Sequence, residues 1–103
     1  MRLNVMQNDD GITTGFEVPN ILLSGGRACR IASRVRGARI VRKPSLFRSR
    51  DDDFCAFEVD GVPFLIIEPF QDNDVYWIVT ETPSANAALL IERVQATFAA
   101  AWG

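Results

Sequence analysis

The run "FCAFEVDGVPFLIIEP", residues 54–69, sets an Asp60-Gly61 pair between two stretches rich in aromatic and β-branched residues. An Asp-Gly pair in that setting is a strong short-range hairpin signal. A two-residue type I′ turn needs positive φ at both central positions, which Asp and Gly tolerate best. The turn also fixes a register. Val59 faces Val62, Phe57 faces Phe64 and Cys55 faces Ile66, all on one side of the ribbon. The other side then carries Phe54, Ala56 and Glu58 opposite Ile67, Leu65 and Pro63. The next apolar run, "VYWIVT", follows a polar stretch. With the five-residue loop Phe70–Asp74, Tyr76 and Ile78 join the first side, and Trp77 and Val79 the second. Both sides are largely apolar, whereas an antiparallel sheet with one wet face alternates more cleanly. Each face therefore needs a cover.

One cover is plain. "TPSANAALLIERVQATFAAAW" carries Ala87, Leu90, Ile91, Val94, Phe98, Ala101 and Trp102 as one helical stripe. Thr82 suits its N-cap, with Pro83 as the first helical residue. Candidates for the second cover are a helix within 20–37, residues 1–23 folded across as an arm, or a second copy of the chain. The helix candidate has small or apolar residues at Ile21, Ala28, Cys29, Ala32 and Val35, and Gly37 to stop it. Gly25-Gly26 weakens its start, so it is expected to begin near Arg27. "RLNVMQ" and "TTGFEVP" read as short extended pieces around the turn "NDDG". "ARIVRKP" reads as a strand ended by Pro44. The expected fold is α+β in one domain, 1–103: a four-stranded antiparallel meander (38–43, 54–59, 62–69 and 75–80) packed on the C-terminal helix, with an N-terminal helix or arm.

The chain of 103 residues contains no histidine. That removes Ser-His-Asp and Cys-His catalysis, imidazole zinc sites and the commonest general base. Cys29 and Cys55 form no CxxC. They read as two small buried hydrophobes, a disulfide being the lesser alternative. Asp72-Asn73-Asp74 lacks the ligand order of a calcium loop and reads as turn chemistry. No metal site and no cofactor is expected. Nothing approaches the ~18 apolar residues of a membrane span, and the start has no run suited to a signal peptide. A soluble, cytoplasmic protein without membrane contact is expected.

Charge is unevenly laid out. Nine of the eleven Lys and Arg fall between Arg27 and Arg50, with no acid among them, and Asp51, Asp52 and Asp53 follow. Arg27, Arg30 and Arg34 share one helical face. Arginine favours planar, bidentate recognition of carboxylate or phosphate. The alternative is pairing with the nearby acids on a solvated surface. "SGGR" alone reads as a turn rather than an anion cradle. Candidate ligand-binding residues are Glu68, Tyr76, Trp77, Arg39 and Arg42; no catalytic residue is assigned.

"EPFQDNDVYWI", with "DDDFCAFEVDGVPFLIIEPF" before it, resembles small bacterial proteins carried on mobile integron gene cassettes. Their roles are mostly unassigned, so the resemblance implies a bacterial, accessory α+β protein and assigns no residue. The function expected first is a non-enzymatic interaction module acting as a homo-oligomer, a dimer. The second is a small ligand-binding pocket or carboxylate-dependent enzyme using Glu68, Tyr76 and an arginine. The third is weak binding of nucleic acid, a phosphate-bearing partner or an acidic protein through Arg27–Arg50.

Overall fold

Period-two alternation in the second half of the chain ends at Thr80 and helical spacing takes over, and the last four elements follow that division. The structure, a computed structural model, describes residues 4–19, 25–42, 53–68 and 75–102. Its elements are β1 (Asn4–Gln7), β2 (Thr13–Pro19), α1 (Gly25–Ser33), β3 (Ala38–Arg42), β4 (Asp53–Val59), β5 (Val62–Ile67), β6 (Val75–Thr80) and α2 (Ala85–Trp102). The strands form one sheet in the order β1-β2-β6-β5-β4-β3, each neighbouring pair antiparallel.

The expected four-stranded sheet is thus corrected to six strands. The meander β3–β6 is present, but β6 with β5 alone would leave a row of unpaired backbone groups. The N-terminal residues fill that edge. β2 pairs with β6, placing Phe16 opposite Ile78 and Glu17 opposite Trp77, and β1 pairs with β2. The hairpin between them is closed by Asn8, whose Oδ1 accepts from the backbone N–H groups of Asp10 and Ile12 at 3.0 Å each. An Asx turn of this kind substitutes a side-chain acceptor for a backbone one. Residues 4–19 are therefore not an arm across a face, and the expected N-terminal helix is α1.

Within the meander, the register follows the Asp60-Gly61 turn as far as Cys55: Val59 opposite Val62, Phe57 opposite Phe64, Cys55 opposite Ile66. Beyond it the expectation is corrected: the register shifts between Asp53 and Cys55, and Ile67 stands opposite Asp53 rather than Phe54. Asp60 has φ 51° and Gly61 φ 84°, both left-handed. The chain then crosses from β2, near one edge, to β3 at the other, and α1 makes that crossing. α1 packs on α2, β3 and β4, and α2 packs on β2 and β6. Both helices therefore lie on one face of the sheet.

That face is the core. It contains Phe16 and Val18 of β2, Cys55, Phe57 and Val59 of β4, Phe64 and Ile66 of β5, and Ile78 of β6, all buried. Ala28, Ile31, Ala32 and Val35 come down from α1, and Leu90, Ile91, Val94 and Phe98 from α2. The Phe57 and Phe64 rings stack at 5.4 Å, and Phe98 meets Phe16 edge-on at 5.8 Å. Such aromatic pairs add to the stabilisation from burial alone.

Three further expectations are corrected. α2 is capped by Ser84, not Thr82: the Ala87 N–H donates to Ser84 Oγ at 3.0 Å. The bond reaches the third helical residue, as an N-cap requires. The Thr82 N–H instead donates to Thr80 Oγ. Cys29 and Cys55 are bonded to each other, with Cα atoms 6.0 Å apart. Cys29 points down from α1 and Cys55 up from β4, and the packing of α1 on β4 brings them within disulfide reach. α1 also starts at Gly25 rather than Arg27. Among the described residues, no helix is long and apolar enough to cross a membrane.

Candidate functional site

Both helices lie on one face, and no described element packs across the other. Its side chains form cross-strand rows. One row runs Met6, Gly15, Val79, Leu65, Ala56 across five strands. The next runs Asn4, Glu17, Trp77, Ile67. Leu65, Ile67, Trp77 and Val79 are half-buried, whereas their neighbours in sequence on the core side are wholly enclosed. The polar side chains on this face are paired. Trp77 Nε1 donates to Glu17 Oε1 at 3.0 Å beside the apolar rows, and Arg39 Nη2 donates to Glu58 Oε1 at 2.9 Å toward the β3 edge. Apolar side chains with their polar neighbours already paired are the layout of a protein–protein contact.

Gly15 lets β2 lie close to β6. A Cβ there would fall on the Ile78 carbonyl oxygen and 2.8 Å from Val79 Cγ1. Glycine inside a strand marks such a close approach.

The five candidate ligand residues divide between the faces. Tyr76 is buried on the core side, and Trp77 lies on the open face. Arg39 is also on the open face, with two strands between it and Trp77, and is paired with Glu58. Glu68 is half-buried just past the end of β5. Arg42 ends β3, and its side chain lies outside the described residues. Tyr76, Trp77 and Arg39 do not converge on one cavity. No three Cys, Asp or Glu side chains come together to hold a metal ion among the described residues.

The basic segment is split by the sheet. Arg39 points to the open face. Arg27, Arg30, Arg34 and Arg36 line hollows on the helix side. Lys43, Arg48, Arg50 and the acids Asp51, Asp52, Asp72 and Asp74 lie outside the described residues. Two contributors were not anticipated. Glu17 orients Trp77 from a segment whose strand character was faint. Arg93 of α2 joins the α1 arginines, donating from Nη1 to the Arg36 carbonyl at 2.9 Å and to Asp60 Oδ2 at 3.0 Å. Its helical position, two residues past the buried Ile91, gave no sign of that neighbour.

No family model matches the chain, and no curated protein or solved structure matches it either.

Proposed function

We propose that this chain is a non-enzymatic interaction module that pairs with a second copy of itself through the open sheet face. The observation that carries this reading is the patch of Leu65, Ile67, Trp77 and Val79, in two adjacent rows, on a face that neither helix covers. The sheet is about 24 Å across and its strands about 20 Å long, from the usual strand spacing and rise. Two such faces set together bury ~1,000 Å² in total, the lower bound for a specific interface. A twofold contact needs one self-complementary patch only, and large apolar patches are rare on soluble monomers. Trp77 at the centre suits an anchor, since tryptophan is enriched among the residues that dominate binding. Sedimentation equilibrium of the full chain at about tens of micromolar, a range that populates typical dimers, tests it. A dimer is expected; a strict monomer overturns the reading.

The resemblance to integron-cassette proteins adds an accessory bacterial role. For location, two considerations point apart. The Cys29–Cys55 bond fits an oxidising compartment, because cytosolic thiol buffers keep cysteines reduced. The expected cytoplasmic location requires both thiols free. Alkylation of acid-trapped protein taken directly from cells decides: two labelled cysteines place it in the cytoplasm, and none places it elsewhere.

A further inference from the structure

The α1–α2 seam on the helix side of the sheet carries charge that nothing described so far uses. Two hollows adjoin there, of about 630 Å³ and about 240 Å³, sharing Arg34 and Ala101 as walls. Arg36 and Arg93 line the first, and Arg27 and Arg30 the second. Ala96, Thr97 and Ala100 give the first hollow a low, smooth floor. No acid stands in either wall among the described residues. Asp60 holds Arg93 from the rim. Arg30, Arg34 and Arg36 make no ion pair among the described residues.

This crowding is unfavourable to the free protein. Arg34, Arg36 and Arg93 stand around the first hollow, and Arg30 with Arg34 around the second, so like charges are crowded there. An anion in the groove relieves that repulsion.

We propose that the α1–α2 groove binds a small ligand carrying several phosphate groups. Three features select that chemistry. The heads are guanidiniums, whose planar forks match oxyanions bidentately. Several converge on each hollow, and a phosphate, with more acceptor oxygens than a carboxylate, can take bonds from more than one of them. Arg27 to Arg34 spans about 10 Å along the helix axis, so a single phosphate reaches one end only. Among the described residues, no aromatic side chain lines either hollow to stack nucleic-acid bases.

The test is calorimetric titration of the full chain with tripolyphosphate, beside inorganic phosphate, a single-stranded oligonucleotide and a Glu-rich peptide. Arg34→Gln removes the charge common to both hollows. Arg39→Gln removes an equal charge from the opposite face. Both side chains are exposed, and unchanged melting of the free variants verifies that they fold. Tripolyphosphate is expected to bind more tightly than inorganic phosphate and to raise the melting temperature by mass action. Arg34→Gln should weaken it by about tenfold, the worth of a charge-assisted bidentate contact, and Arg39→Gln by less than about twofold, as for an exposed charge. Three results overturn the proposal: no binding at ~10 mM ligand in low salt, where screening is weakest; equal losses in the two variants; or tighter binding of the oligonucleotide or the peptide.

Discussion

At the scale of single residues, two glycines show different constraints. Gly61 has φ 84° with open space where a Cβ would stand. Its role is conformational alone, and Gly61→Val is expected to cost more than about 1 kcal/mol through the strained backbone. Thermal denaturation checks this, and an unchanged melting temperature would refute the turn's role. Gly15 has an ordinary extended backbone, and its constraint is space. Gly15→Val must push β2 away from β6, at about 1–3 kcal/mol, the usual range for overpacking. The expected signature is faster hydrogen exchange at the amides of β2 than at those of β4 and β5. Uniform exchange across the sheet would show that β6 yields instead.

At the scale of elements, the C-terminal helix is held mainly by one aromatic. Phe98 is fully buried and meets the Phe16 ring. Phe98→Ala should destabilise by about 3–5 kcal/mol, a large part of a small domain's margin. Urea denaturation measures it, and an unchanged midpoint would place α2 outside the core. α1 is held differently. The Cys29–Cys55 bond closes a loop over a separation of 26 residues, so its loss should cost about 3 kcal/mol on chain-entropy grounds. Denaturation with and without reductant compares the two forms, and coincident curves would show that the bond contributes nothing to stability.

The elements also show what a sequence displays and what it hides. The β4–β5 register was legible because Asp60-Gly61 leaves one pairing open, and the faces of β6 followed from it. The stripe of α2 was legible because Leu90, Ile91, Val94 and Phe98 repeat at helical spacing. β1 and β2 were not. β2 alternates Phe16 and Val18 inward with Glu17 outward, but Gly15 and two threonines blur the start, and β1 is four residues long. Their assignment depends on β6 having an edge to fill, which is a tertiary condition. The disulfide and the arginine groove were hidden for the same reason: Cys29 meets Cys55, and Arg36 meets Arg93, only after α1 and α2 share a face.

At the scale of the molecule, the sheet has a dry side and an open side, and the two proposals fall on opposite sides. Self-association and anion binding should therefore be separable. Trp77→Glu sets a charge in the middle of the open face, and it is expected to give a monomer with an unchanged core and unchanged affinity for tripolyphosphate. Light scattering follows the first property and calorimetry the second. A dimer that persists in Trp77→Glu would place the interface elsewhere.

The placing of β2 beside β6 has a consequence for how the chain is made. Glu17 and Trp77 touch although they stand 60 positions apart. β4 and β5 can zip together locally around their tight turn, and such contacts form early at small entropic loss. The β1–β2 ribbon leaves the ribosome before β6, so the edge it docks on does not exist until β6 has emerged. While the residues between them are being made, Phe16 and Val18 are without their β6 neighbours, and a ribbon made before the meander is among the last parts of the sheet to reach its native place.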